Sequence, residues 1–202
     1  MSVRQFTIFG NKYRMGSYIL LIRLSCSVKL AFGRFQCGTL ITFPRGEYLY
    51  IGSALGKEES TGSPLARRVI RHASRSEEKK PHKIRPALLQ LFSGNDVAGN
   101  RNRAPSKKKL RWHIDYLLDL PEAEITHIVI MRSPLKLEDK LSELLDSSNA
   151  TSIVAPHLGA GDTRNSTHLL RITDQKQILD LLKQEIPEML SSIEAGYTPR
   201  QK

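Results

Sequence analysis

Two tyrosines, an arginine and a histidine stand in an order along this chain that could carry a reaction. Tyr18 ends a Gly-Ser-Tyr triplet, Tyr50 begins a Tyr-Ile-Gly triplet, and Arg68 and His72 follow. A phenol and an imidazole can move protons, and a guanidinium can bind an anion. An unperturbed tyrosine has a pKa of about 10, so it needs a neighbouring cation to act as a base near neutral pH. Arg68 or the other basic residues nearby could supply that field.

Both tyrosines fall on predicted strands. Residues 18–24 form a continuous apolar run, which is typical of a buried strand. Residues 47–53 are rich in Tyr and Ile and predict a second strand. An antiparallel arrangement of these two strands would place Tyr18 and Tyr50 on one sheet, with their hydroxyls able to share a site.

The arginine and the histidine fall on a predicted helix over residues 65–75. Ser63 is a good N-cap and Pro64 is a good first helical residue. Arg68 and His72 are four residues apart, so they project from one face of that helix. His72 has an alternative role as a surface residue near the helix C-terminus, where a cation is favourable.

The remaining hydrophobic pattern predicts an α+β fold, with a small, mainly antiparallel sheet of about three to five strands flanked by helices. Further predicted strands cover residues 27–35, 38–43 and 125–131, and further predicted helices cover residues 110–118, 135–145 and 174–194. We assign residues 1–173 to one domain and residues 174–202 to a C-terminal helix with a frayed tail.

Basic charge is concentrated in one stretch of the chain. Residues 75–111 contain eleven Lys or Arg and three acidic residues, a local balance of +8 within a formal net charge of +11. Such a stretch favours the phosphates of a nucleic acid, because binding releases condensed counterions. The Gly, Asn, Pro and Ser content of residues 76–109 predicts a flexible insertion, in which only residues 84–92 could form a short helix. A solvated tether without a ligand is the alternative.

Composition excludes several classes of protein. No apolar run approaches the roughly 20 residues of a membrane-spanning helix, and no signal-peptide pattern opens the chain, so no membrane partner is expected. Cys26 and Cys37 are too few for a disulfide framework or a cysteine-based zinc site. We expect two free thiols in a reducing cytoplasm, with a bridge between them as the alternative.

The motif Trp112-His113-Ile114-Asp115-Tyr116 completes a pattern that resembles a known family. With the two tyrosine triplets and the Arg–His pair, it is similar to the GIY-YIG nuclease superfamily, in its small Uri-type branch. The resemblance covers residues 14–172 outside the insertion. It implies an endonuclease that hydrolyses DNA phosphodiester bonds with Mg²⁺ or Mn²⁺, with DNA repair as one setting.

The resemblance also implies roles for individual residues. Tyr18 and Tyr50 would activate or orient the water, Arg68 would grip the phosphate, and Glu138 would hold the metal. An acid in the first turn of a helix also serves the helix dipole, so Glu138 has this structural alternative. Asp139 replaces it as the ligand if the register slips by one.

Other positions match the branch without a fixed role. His72 and His113 are further candidate catalytic residues, and Gly52 and Asp115 are other candidates for the site. The candidate nucleic-acid contacts are Arg71, Lys107, Lys108, Lys109 and Arg111. Residues 159–169 keep the Gly, Asp, His and Leu of a branch motif but neither of its cysteines, which leaves Asp162 and His168 as candidates.

Two other functions compete with the nuclease. The first is a non-catalytic nucleic-acid-binding module that keeps the fold and the basic surface. The second is a regulator that binds acidic protein tails through the basic insertion. This second alternative leaves the order of the tyrosine triplets, Arg68 and His72 unexplained.

Overall fold

The computed structural model describes residues 5–56, 62–93, 108–159 and 167–196. Within them the chain forms a six-stranded sheet with helices on both faces and a separate two-stranded hairpin. The predicted α+β fold with a mainly antiparallel sheet is confirmed. The strands are β1 (Phe6–Phe9), β2 (Gly16–Leu24), β3 (Val28–Leu30), β4 (Ile41–Phe43), β5 (Gly46–Ala54), β6 (Ala123–Arg132), β7 (Thr151–Ile153) and β8 (Leu169–Ile172), and the helices are α1 (Pro64–His72), α2 (Arg85–Leu91), α3 (His113–Leu118), α4 (Glu138–Asp146) and α5 (Gln175–Gly196).

The large sheet has the strand order β1-β6-β2-β5-β8-β7. Every neighbouring pair is antiparallel except β1 and β6, which are parallel. The sheet is wider than the predicted three to five strands because β1, β7 and β8 were not among the predicted strands. All three are short, of four, three and four residues, and so carry little periodic signal.

The apolar run of β2 makes it the centre of the sheet, between β6 and β5. Alternate side chains of a strand point to opposite faces. Leu20 and Ile22 join the core on the face covered by α1, α2 and α3, while Ile19 and Leu21 join the core covered by α4 and α5. A strand covered on both faces needs apolar residues at every position, which explains the continuous run.

Helix α1 begins as predicted but ends early. The Ser63 hydroxyl accepts a hydrogen bond from the Ala66 amide at 3.0 Å, and Pro64 is the first helical residue. The helix ends at His72 rather than at residue 75. Helix α4 begins at Glu138, later than the predicted residue 135, and the Leu137 amide just before it donates to the Ser17 hydroxyl at 3.1 Å.

Part of the predicted flexible insertion is folded. Ile84, Leu88 and Phe92 are buried in the core beside α1 and α3, and His82 is 1% exposed. The short helix predicted within residues 84–92 is present as α2, but the flexible-insertion hypothesis was wrong for residues 76–93, because their apolar side chains complete the core. Residues 94–107 lie outside the described part of the chain.

The C-terminal helix α5 packs against the sheet and shares its hydrophobic core. Ile178, Leu182 and Ile186 of α5 are buried against the face of the sheet that α4 also covers.

Cys26 and Cys37 are both exposed and unpaired, which confirms the prediction of two free thiols. Among the described residues, no helix is long and apolar enough to cross a membrane.

Candidate active site

The strand register brings the two tyrosines to one face of the sheet. Tyr18 of β2 lies opposite Gly52 of β5, and Tyr50 lies opposite Leu20. Tyr18 and Leu20 are two residues apart, so both tyrosines point to the face that α1 covers. Their ring centres are 6.4 Å apart. The prediction that one antiparallel pair of strands carries both tyrosines is confirmed.

Gly52 leaves room for the Tyr18 ring. A Cβ atom at position 52 would lie 2.5 Å from the Tyr18 hydroxyl oxygen, closer than any side chain tolerates. The last residue of the Tyr-Ile-Gly triplet is therefore a glycine because the phenol crosses directly over its backbone. The triplet and Tyr18 form one steric unit.

His72, at the end of α1, binds Tyr18. Its Nε2 atom lies 2.8 Å from the Tyr18 hydroxyl, and its side chain is fully buried. The ring centre of Tyr50 is 6.0 Å from that of His72. The alternative that placed His72 on the surface as a helix-terminal cation was wrong, since the imidazole faces the sheet.

Burial sets the protonation states of this pair. Burial lowers the pKa of His72 to about 4, despite the opposing effect of Asp115, so the imidazole is neutral. Burial, with the neighbouring Tyr50, raises the pKa of Tyr18 well above its ordinary value. Arg68 acts to lower the pKa of Tyr18, the direction of the field that a tyrosine base would need, but burial outweighs this effect. Tyr18 is therefore a neutral hydroxyl that shares a hydrogen bond with a neutral imidazole.

Asp115 of α3 lies behind His72. Its Oδ1 atom is 3.6 Å from His72 Nδ1, slightly beyond hydrogen-bond distance. Burial alone would raise the pKa of Asp115, but interactions with His72 and Arg71 hold it far below its usual range. An ionised carboxylate at this position favours the tautomer that carries a proton on Nδ1, which leaves Nε2 to accept from Tyr18.

Two cations and two backbone amides enclose Asp115. Arg71 donates to both carboxylate oxygens at 2.8 and 3.0 Å, and Lys108 Nζ lies 3.6 Å from Oδ1. The backbone amides of Arg111 and Trp112 donate to Oδ2 at 2.9 and 3.0 Å. Arg71 and Lys108 were predicted as nucleic-acid contacts, but here they neutralise a buried carboxylate, and the Lys108 side chain is fully buried.

Arg68 lies at the exposed side of the cluster. Its guanidinium carbon is 4.1 Å from the centre of the Trp112 ring, and the Trp112 ring centre is 5.8 Å from that of His72. The charge of Arg68 lowers the pKa of Tyr18, against the larger effect of burial. Tyr18 and Arg68 therefore belong to the same face of the sheet and the same group of side chains.

Glu138 is the first residue of α4, a helix that packs on the other face of the sheet from Tyr18. Its charge acts to raise the pKa of Tyr18, and its carboxylate pairs with Lys136 at 3.0 Å. The structure describes no cluster of three or more His, Cys, Asp or Glu side chains that could hold a metal. A single carboxylate still fits Mg²⁺, which keeps several waters and binds through one or two carboxylates together with substrate phosphates. Asp139 is exposed beside it.

Several predicted residues lie apart from this group. The His113 ring contacts Phe35, with ring centres 4.9 Å apart, and its Nδ1 accepts from the Gly159 amide at 3.4 Å. His113 therefore packs beside the site rather than in it. His168 is 4% exposed, and its carbonyl accepts from the Ile51 amide at 2.9 Å, so it borders the Tyr-Ile-Gly strand.

The other predicted nucleic-acid contacts are divided. Lys109 and Arg111 are exposed, close to the group, and the Lys109 carbonyl accepts from Arg71 at 2.7 Å. Lys107 and Asp162 lie outside the described residues.

The two tyrosines at the centre of the cluster are buried. Tyr18 is 1% exposed and Tyr50 is 7% exposed. Two sizeable cavities lie elsewhere, one of about 860 Å³ between α4 and α5 and one of about 1330 Å³ at the edge formed by β1 and β6. We place the candidate site at the tyrosines despite these cavities, because two tyrosines, a histidine, an arginine and a carboxylate converge there.

Trp112 and Ser17 are the contacts that sequence reasoning missed. Trp112 opened the most recognisable motif, yet its packing against Arg68 joins residues far apart in sequence. Ser17, within the first triplet, accepts the Leu137 amide and so fixes the chain just before Glu138. Arg68 and Arg71 are about one helical turn apart, so the sequence indicated that their side chains could contact a common partner, which is Trp112.

Comparison with known proteins places the chain in a family without assigning an activity. A family model described as a domain of unknown function, DUF123, matches residues 17–191. No curated protein and no solved structure matches the chain.

Proposed function

The chain belongs to the DUF123 family, a domain of unknown function, and we propose that it is a metal-dependent endonuclease that hydrolyses DNA phosphodiester bonds. One observation supports this proposal above the others. The Tyr18 hydroxyl is bound to a neutral His72 backed by Asp115, with Arg68 and Glu138 close enough to shift the pKa of Tyr18 in opposite directions.

Hydrolysis of a phosphodiester requires an activated water, stabilisation of the charge on the phosphate, and a group that assists the departing alkoxide. Arg68 is suited to the phosphate, because its planar guanidinium offers five N–H donors to oxyanions. Tyr18 and His72 are suited to the water, since both are neutral and already share a hydrogen bond.

The proton can leave the water through Tyr18. As the water oxygen forms its bond to phosphorus, its proton passes to the Tyr18 oxygen while the phenolic proton moves to Nε2 of His72. In the same displacement the bond between phosphorus and the leaving sugar oxygen breaks, and that oxygen departs as an alkoxide that takes a proton from solvent. The imidazolium that forms lies 3.6 Å from the ionised Asp115, which stabilises it. This relay needs no preformed tyrosinate, in agreement with the raised pKa of Tyr18. Tyr50 is the more exposed tyrosine and is suited to orient the water.

Glu138 would hold the metal ion in this proposal. Mg²⁺ or Mn²⁺ bound there supplies charge stabilisation for the phosphate and the leaving oxygen. The pairing of Glu138 with Lys136 keeps the carboxylate near its present position in the free protein. We place the activity in the cytoplasm, where exposed unpaired cysteines such as Cys26 and Cys37 persist.

A second function has its own supporting observation. Tyr18 is 1% exposed, so its hydroxyl stabilises the fold through His72 whether or not a substrate reaches it. A nucleic-acid-binding module that lacks catalysis would bind its ligand through Arg68, Lys109 and Arg111. In that case the buried Tyr18, His72 and Asp115 would only stabilise the fold.

Tyr18→Phe separates the two functions. It removes only the hydroxyl, and Tyr48→Phe is a matched control, because Tyr48 is also buried on this face and donates to the Pro44 carbonyl away from Arg68. The nuclease predicts that Tyr18→Phe loses nicking of single-stranded, duplex or flap DNA with Mg²⁺ or Mn²⁺ while both variants keep DNA affinity. Nicking by Tyr18→Phe at the wild-type rate would contradict the relay.

A further inference from the structure

Trp112 is the one tryptophan of the chain, and it stands at the centre of three arginines. The guanidinium carbons of Arg68, Arg71 and Arg111 lie 4.1, 4.3 and 5.5 Å from its ring centre. Trp112 immediately precedes α3, and its ring is only partly buried. The ring therefore joins α1 to the start of α3 at the surface of the site.

The arginines beside the ring differ in what else they bind. Arg71 donates to Asp115 and to the Lys109 carbonyl, so its donors are committed to the fold. Arg68 makes no hydrogen bond or ion pair with any residue that the structure describes. Its guanidinium instead packs against the Trp112 ring. An arginine whose cation is held by an aromatic ring keeps its N–H donors available to an oxyanion.

We propose that Trp112 is a positioning residue that holds the Arg68 guanidinium ready for a phosphodiester oxygen, with Arg71 fixing the ring from the side of Asp115. This inference rests on the proposed function only for the identity of the anion, a nucleic-acid phosphate. Arg68 is a long side chain that loses rotamer freedom on binding a ligand. The Trp112 ring restricts it beforehand, so less freedom is lost when the phosphate binds.

The emission of Trp112 reports on this contact directly, because no other tryptophan contributes. We expect a saturable change in emission when a single-stranded DNA oligonucleotide is titrated into the full chain in EDTA, which prevents metal-dependent cleavage. Inorganic phosphate should produce a smaller change of the same kind. Arg68→Ala should abolish the change, while Arg45→Ala, at the opposite end of β5, should preserve it.

Substitution of the ring tests the positioning role. Trp112→Leu removes the aromatic face, so we expect DNA affinity to fall about tenfold, the equivalent of a partly desolvated cation–π contact. The slope of log K against log salt should flatten by up to about 0.9, since one phosphate contact is weakened. Trp112→Phe keeps an aromatic face and should recover most of both quantities. A residue that serves only packing would not change the salt slope.

Two results would overturn the inference. One is a folded Trp112→Leu protein with the affinity and salt slope of the wild type. The other is an unchanged Trp112 emission at saturating oligonucleotide, which decides the matter even if the leucine variant does not fold. Wild-type protein that binds DNA with an Arg68-dependent emission change, yet cuts no substrate with either metal, refutes the nuclease and supports the positioning role.

Discussion

The neutral, buried His72 predicts how the stability of this protein depends on pH. Burial lowers the pKa of His72 to about 4, whereas in the unfolded chain it is about 6.5. Between these values the unfolded chain binds a proton that the folded protein does not. Since the free energy of unfolding rises with pH wherever the unfolded state binds more protons, the stability from His72 is complete above pH 6.5 and is lost as the pH falls to about 4.

The size of the effect follows from the pKa difference. One pKa unit corresponds to about 1.4 kcal/mol, so His72 contributes a loss of about 3 kcal/mol across this interval. This is a substantial part of the free energy of unfolding of a typical domain, which is about 5–15 kcal/mol. Asp115, whose pKa is held far below its usual range, adds a further loss only at lower pH, below its unfolded pKa of about 3.9.

Urea denaturation at pH values from 7.5 to about 4.5 isolates this contribution. His72→Gln removes the titration but can keep a hydrogen bond to Tyr18, so its stability should fall less steeply with acid than that of the wild type. The buried His82 also titrates in both proteins and cancels in the difference. His157→Gln, at an exposed position, should retain the wild-type slope. Parallel curves for wild type and His72→Gln would refute the assignment of His72 as a buried neutral base.

Three further predictions concern neighbouring features. Gly52→Ala should displace the Tyr18 ring, because the new Cβ would lie 2.5 Å from its hydroxyl, and should lower stability by about 1–3 kcal/mol in urea denaturation; an unchanged midpoint would contradict the close approach. Asp115→Asn should lower stability by about 3–5 kcal/mol in the same assay, since it leaves Arg71 and Lys108 uncompensated; a loss below 1 kcal/mol would show that the cage is dispensable. Deletion of residues 94–107, which include three basic residues, should weaken DNA binding and flatten its salt dependence by about 0.9 per lost phosphate contact; an unchanged slope would show that this segment does not contact the backbone.

The sequence predicted the elements of the site better than the partners of its residues. Continuous and alternating apolar runs are direct consequences of burial, so β2 and β5 could be placed within a few residues. The Ser63 cap and Pro64 fixed the start of α1 through local chemistry. These signals act over one or two turns of chain and need no knowledge of tertiary structure.

The roles of charged residues required the tertiary contacts. Lys108 belongs to a basic run that resembles a solvated surface, yet its ammonium donates to the buried Ser74 carbonyl at 2.7 Å. Arg71 was predicted to bind a nucleic acid because nothing in its local sequence reveals Asp115 as a partner, 44 residues later. The short helix within residues 84–92 was predicted, but its place in the core was not, since nothing in the local sequence shows that Ile84, Leu88 and Phe92 pack beside α1 and α3.

The assignment of distinct tasks to Glu138 and Arg68 is the central claim, and Mg²⁺-dependent nicking measured beside DNA affinity tests it most directly. Glu138→Ala should lose metal-dependent cleavage and bind DNA as well as the wild type or better, because a negative charge near the phosphate is gone. Arg68→Ala should lose both, with about 3 kcal/mol of transition-state stabilisation removed. Cleavage by Glu138→Ala at the wild-type rate, or a wild-type protein that binds DNA but cuts none with Mg²⁺ or Mn²⁺, would contradict the claim.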